Sequence, residues 1–255
     1  MGEIIAFCNQ KGGVGKTTTS LNIAACLAAA EKRTLLIDLD PQGNSTTGFG
    51  FNKHELQKTV YNIFTSDDPL ESLLLDTELP FLKLIPSNTA LVGAEIELVE
   101  IVSRETILKN KLSTITNNFD FILIDCPPSL NLLTINALSA ANSVIIPVQC
   151  EYYAMEGLVD LLRTISFVRE RINNTLEVCG IVLTMFDARN NMSHQVSQEI
   201  RNHFQDKVFD TVIPRNVKLS EAPSHGKPIL LYDVGSRGSV SYFDLAEELL
   251  SIFNK

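Results

Sequence analysis

Short apolar runs, each closed by a turn or an acid, recur along the chain and set its pattern. "EIIAFC" (3–8) is apolar after its first residue and runs straight into a glycine-rich turn. Residues 16–30 follow, rich in Ala and Leu without Gly or Pro, and predict a helix. "RTLLIDLD" (33–40) predicts a second strand, with Asp38 and Asp40 at its carboxyl end and Pro41 to stop it. "FLKLIPSN" (81–88), "FDFILIDCPPS" (119–129), "SVIIPVQC" (143–150) and "VCGIVLTMF" (178–186) predict further strands, with "KVFDTVIPRN" (207–216) as a later one. Helical spacing marks 94–115, 153–171 and 192–204. The tail "SYFDLAEELLSIF" puts residues 242, 245, 246, 249, 250 and 253 on one helical face.

Strands that are apolar throughout and followed by helices imply a parallel sheet covered on both faces, an α/β doubly wound fold. The absence of a linker, low-complexity tract or internal repeat assigns residues 1–255 to a single domain. Ligands of such sheets lie outside the carboxyl ends of the strands, where the glycine turn, Asp38, Asp40 and Asp125 all fall.

Composition narrows the classes. Apolar residues make up 45% and charged residues 20% of the chain, ordinary for a globular protein with a sizeable core. No apolar run reaches the ~18 residues of a membrane span, and the start carries no export pattern. The five cysteines are scattered without a Cys-x-x-Cys, which fits buried thiols in a reducing cytosol. The four histidines show no metal spacing. A net charge of −9 argues against a general nucleic-acid coat but leaves room for a local basic patch.

The chemistry concentrates in Lys11-Gly12-Gly13-Val14-Gly15-Lys16-Thr17-Thr18. The usual phosphate loop starts on a glycine at the place held here by Gln10, so the pattern departs from the standard one. Its physics survives. Three glycines let backbone N–H groups converge on phosphate oxygens at a helix N-terminus. Lys16 supplies charge at the β- and γ-phosphates, and the Thr17 hydroxyl suits magnesium. Asp125, ending "FILID", matches the acid that holds magnesium on a neighbouring strand. Asp38 and Asp40 are expected to face different ways, so that only one meets the attacking water.

"KGGVGKTTTSLN", "LLIDLDPQGNS", "FILIDCPPS", "IPVQCEYYAMEGL" and "VIPRNVKLSEAPSHGKPI" together resemble the ParA/Soj ATPases, which partition chromosomes and plasmids. The likeness runs from about residue 3 to 250, and the fourth and fifth stretches point to the chromosomal Soj-like type. The resemblance implies ATP as substrate with Mg2+, slow partner-stimulated hydrolysis, and a homodimer in the ATP state. It implies that Lys11 reaches across the two-fold interface to the partner's nucleotide, and that Asp40 positions the hydrolytic water. Asp38 would lie near the metal shell, Pro214 and Asn216 beside adenine, and Gly12 close against the second subunit. Duplex DNA, bound without sequence preference, and a ParB-type protein are the implied partners. The implied location is the cytoplasm, on the nucleoid when ATP is bound.

Residues 189–237 hold seven Lys or Arg against five acids, so the window is +2 where the remainder is −11. Within it Arg189, Lys218 and Lys227 align with family positions implicated in DNA contact. Three other readings share the loop. A MinD-like membrane ATPase calls for a basic amphipathic tail, whereas this tail is acidic. An iron–sulfur relative needs paired cysteines, and Cys126 is expected to have no suitably placed second one. A metabolic ligase or synthase needs a second-substrate motif that the sequence does not present. The lack of a helix-turn-helix segment before the loop leads to the expectation of no operator binding.

Overall fold

The computed structural model describes residues 2–253, so Met1, Asn254 and Lys255 at the ends assigned to the domain and tail lie outside it. Strand β1 (Glu3–Phe7) leads through the glycine turn into helix α1 (Lys16–Ala29), and β2 (Thr34–Asp38) follows. After a long excursion come β3 (Leu75–Asp76), β4 (Leu82–Ile85), α2 (Leu91–Glu97) and α3 (Ile107–Leu112). The second half is regular: β5 (Phe121–Asp125), α4 (Leu132–Ala140), β6 (Ser143–Gln149), α5 (Ala154–Arg171), β7 (Glu177–Phe186) and α6 (Asn191–Phe204). Strand β8 (Val208–Pro214) and the tail helix α7 (Arg237–Ile252) complete the order.

The strands form one eight-stranded sheet in the order β3-β4-β2-β5-β1-β6-β7-β8. Every described pairing is parallel except that of β3 with β4 at the edge. The apolar runs split by alternation between the two faces. Ile4, Ala6, Ile122 and Ile124 pack under α3, α4, α5 and α6, while Ile5, Phe7, Phe121 and Leu123 pack under α1 and α7. Within α7, Tyr242, Leu245 and Leu249 are at most 1% exposed. Burying such side chains is worth ~1.5–3 kcal/mol each, so the apolar face of the tail is core rather than a free membrane-seeking surface. No helix among the described residues is long and apolar enough to cross a membrane.

Two local readings change. The helix expected over 94–115 is broken: α2 ends at Glu97, single 3-10 turns cover Leu98–Glu100 and Arg104–Thr106, and α3 begins at Ile107. Ser103 takes a left-handed φ of 59° and Ile101 is extended, which a continuous helix does not allow. Ile96, Val99 and Val102 are 73%, 58% and 90% exposed, so the spacing there does not mark a buried face. Conversely, the sequence pattern does not reveal α4, because its polar residues Thr134, Asn136 and Ser139 are buried with the apolar ones and form no separate polar stripe. Asn131 caps it, its side chain accepting from Thr134 N–H at 3.2 Å.

Candidate active site

Strands β1, β2 and β5 end in register, with Phe7 and Asp38 both beside Asp125. The loop after β1 therefore hangs over two carboxylates. Gly13 and Gly15 take φ of 75° and 87°, conformations that a side chain disfavours, and Gly15 caps α1 without any side-chain acceptor. The first-turn N–H groups of α1 are thus left to an anion. The Thr184 hydroxyl at the end of β7 donates to the Val14 carbonyl at 2.8 Å and ties the loop to the sheet from the other side.

Lys16 is 7% exposed, and its Nζ folds back to the Lys11 carbonyl at 3.0 Å. Burial pushes its pKa below the usual lysine value, while the charges of Asp125 and Asp40 work the other way. Asp125 is fully buried. Its Oδ2 accepts from Ser45 Oγ at 2.8 Å, and its Oδ1 has no hydrogen-bond partner. Burial raises the Asp125 pKa above the carboxylate range, opposed by the hydroxyls of Ser45 and Thr17. A buried carboxylate oxygen without a partner, beside the Thr17 hydroxyl and under a phosphate loop, fits a magnesium ion that brings its remaining ligands with it. Among the described residues no group of three His, Cys, Asp or Glu side chains forms a complete metal cage.

Asp38 and Asp40 differ for a reason other than strand alternation. Residues two apart on a strand share a face, so opposite facing does not follow from their spacing. What separates them is that β2 stops at Asp38 and Asp40 lies in the turn beyond. Both Asp38 oxygens are engaged: Oδ1 by Asp40 N–H at 3.3 Å, Oδ2 by Thr46 N–H at 2.8 Å and its hydroxyl at 2.7 Å. Asp38 thus supports the 40–46 loop from behind Asp125. Burial, then the Asp125 charge, raises its pKa. Asp40 accepts from Gln42 N–H at 2.8 Å through Oδ1, and its other oxygen carries no hydrogen bond among the described residues.

Pro214 and Asn216 line a cleft of about 260 Å³ together with Gly15, Thr18, Met185 and Tyr242, so the structure brings them to the phosphate loop. The residues missed by sequence reasoning are Ser45, whose partner Asp125 is 80 residues on, Thr184, whose partner Val14 is 170 residues back, and Thr46, which returns to Asp38 from the turn after β2. Cys8 was also missed as a neighbour of Cys126. Their sulfurs are 3.2 Å apart in the core. Both are 1% exposed, so this is a packed thiol pair below the site.

Arg189 and Lys218 stand just beyond the carboxyl ends of β7 and β8, and both carry acids. Arg189 Nε and Nη2 pair with the two oxygens of Asp187 at 3.0 and 3.1 Å, holding that carboxyl down to about 2. Lys218 pairs with Glu221 at 2.9 Å and lies 5.6 Å from the Tyr232 ring centroid. Lys227 has no ion pair among the described residues, in the loop after Gly226. Two cations of the basic window lie at the opposite end of the sheet. Arg201 caps the Phe209 and Asp210 carbonyls, and Lys207 caps Val178. The +2 window is therefore split between two ends and is not one continuous patch.

The family model described as "AAA domain" matches residues 2–178. The sporulation initiation inhibitor protein Soj of Bacillus subtilis (strain 168) is 56% identical over 98% of both chains. The chain belongs to the Soj/ParA family of partitioning ATPases. The chromosome partitioning protein ParA of Myxococcus xanthus (strain DK1622) is 52% identical over 98% of this chain and 88% of its own length. Among solved structures, one of cobyrinic acid a,c-diamide synthase from Mycobacterium smegmatis, with bound ATP analog and magnesium, superposes at a TM-score of 0.88. It is 35% identical and covers 100% of this chain and 97% of its own. Membership in the Soj/ParA family fits the glycine loop set over Asp125 and Asp40.

Proposed function

We propose that the chain is an ATP-dependent dimerising switch that binds duplex DNA without regard to sequence, is reset by ATP hydrolysis, and acts with a ParB-type partner in chromosome or plasmid partitioning. The observation that carries the nucleotide half is the unpartnered, buried Asp125 Oδ1 beneath a loop whose α1 N-terminus has no side-chain cap and whose Lys16 is held only by the Lys11 carbonyl. Thr17 and Asp125 would hold Mg2+, which supplies positive charge at the β- and γ-phosphate oxygens when bound. Lys16 binds those oxygens once it leaves the Lys11 carbonyl. Asp40, with one oxygen uncommitted, orients a water and takes up its proton. The 214–216 turn and Met185 close over the base.

Lys11 is assigned to the second subunit's phosphates. Its side chain is 43% exposed at the rim, where a partner reaches it. Gly12 supports the same reading. A Cβ there meets only Pro128 at 4.0 Å, so nothing within the chain requires a glycine at that position. A second subunit approaching closely does. The protein works in the cytoplasm and sits on the nucleoid when ATP is bound. Arg189, Lys218 and Lys227 contact phosphates there, doubled by the dimer.

Sedimentation with ATP and Mg2+ tests the switch. Asp40→Ala is expected to accumulate as an ATP dimer with turnover lost, and Lys11→Gln to remain monomeric. Equal dimerisation with ADP, or a Lys11→Gln chain that dimerises like the wild type, contradicts the proposal.

A further inference from the structure

We propose that Glu151 is the positioning residue for Lys11. It holds the lysine against its own chain at rest and must give it up before Lys11 can reach a second subunit. The inference rests on the reading of Lys11 as a residue that acts in trans.

Lys11 Nζ donates to Glu151 Oε1, across 140 residues of sequence. The contact belongs to a seam. Asn9 Nδ2 donates to the Pro147 carbonyl at 2.8 Å, and Asn9 Oδ1 accepts from Lys11 N–H at 3.0 Å. Gln10 Nε2 donates to the Gly157 carbonyl at 3.3 Å. The outer shoulder of the phosphate loop is thereby fastened at successive residues to the end of β6, the turn after it and the first turn of α5. Of these fastenings, the Lys11–Glu151 pair alone is made by two formal charges. It is also the one that faces solvent, with side chains 43% and 33% exposed.

The same residue is coupled to the nucleotide site from behind. The Lys11 carbonyl accepts from Lys16 Nζ at 3.0 Å. When Lys16 turns to a phosphate, that bond is lost, and residue 11 keeps its N–H bond to Asn9 and, for its side chain, the tie to Glu151. A single exposed carboxylate is a weak holder, worth up to about a fivefold factor. Several phosphate oxygens at once make a stronger, charge-assisted acceptor. Glu151 therefore sets a threshold. A phosphate cluster offered by a second subunit wins Lys11, whereas random encounters do not. Because a two-fold dimer makes the exchange twice, the factors multiply to roughly 25-fold at most.

The test is the dimer dissociation constant, read by sedimentation equilibrium with Mg2+ and a non-hydrolysable ATP analogue. Glu151→Gln is expected to tighten the dimer about 5- to 25-fold at low salt. The gap should close near 0.5 M salt, because screening already weakens the wild-type pair. Glu151→Asp, which keeps the charge, should return the constant toward the wild-type value. A merely structural role for Glu151 predicts neither the salt dependence nor the rescue by Asp. A dimer that is unchanged or weakened by Glu151→Gln overturns the proposal while leaving the in-trans role intact, provided Lys11→Gln blocks dimerisation. If Lys11→Gln dimerises normally, the in-trans reading and this inference fall together.

Discussion

Lys16 and Arg189 both sit at the carboxyl end of the same sheet, one 7% exposed and the other with a side chain 89% exposed. Their surroundings treat charge in opposite ways. Around Lys16 the acids act from a distance, no ion pair is closed among the described residues, and Asp125 keeps an oxygen without a partner. Around Arg189 the nearest acid, two residues away, takes both arms of the guanidinium. The buried site stores unmet polar demand that a phosphate and its cation can satisfy. At the surface corner Arg189 and Lys218 are already paired, so the proposed DNA contact would have to displace Asp187 and Glu221. One region is built for a ligand that is always sought; the other suits a contact that counts only when several copies add up.

The largest expected effect lies in the buried region. Lys16→Ala should weaken ATP binding at least ~100-fold by calorimetry, since it removes charge-assisted bonds in a poorly solvated place. A loss below tenfold would mean that the loop's N–H groups do the work without the lysine.

Asp125→Asn sharpens the contrast next. Burial raises the pKa values of Asp125 and Asp38, so the folded chain holds protons that the unfolded chain has released. Stability of the unliganded protein therefore falls as pH rises above the ordinary carboxylate range toward neutrality. The Asn variant should flatten that slope and stabilise the unliganded chain by ~1 kcal/mol at neutral pH in urea titrations. It should also lose the stabilisation that Mg2+ with ATP confers on the wild type. An unchanged slope would place the proton elsewhere.

At the surface corner, Arg189→Ala should reduce the slope of log affinity for random duplex against log salt by ~2 in the dimer, one phosphate per subunit. Asp187→Asn should instead tighten DNA binding by freeing the guanidinium. If both variants match the wild type, DNA is not bound at this corner. The smallest effect expected is that of Tyr242→Phe, which removes the 3.2 Å contact with Thr19 Oγ1 between α7 and α1. It should cost ~1 kcal/mol in stability and leave the salt slope alone.

How much was legible depended on sequence distance. The glycine loop, the acid-terminated strands and the tail helix are local patterns, and each stands where its pattern placed it. Thr184 holding Val14, Ser45 bonding Asp125 and Glu151 holding Lys11 join residues 80 to 170 apart, so no spacing rule exposes them. The 94–115 region misled because Ile96, Val99 and Val102 are spaced like a helix face yet point to solvent, while Leu98, Leu108 and Leu112 are buried from separate short turns and the left-handed Ser103 interrupts the run. The basic window misled for a related reason. Charge counted along a chain ignores that β8 carries Lys207 and Lys218 to opposite ends of the sheet.

The most direct test of the account is binding to random-sequence duplex DNA, measured with ATP and with ADP, using Asp40→Ala to slow turnover. The account predicts binding with ATP alone, falling steeply as salt is raised. Equal binding in the two nucleotide states, or an ATP dimer that ignores DNA, contradicts it.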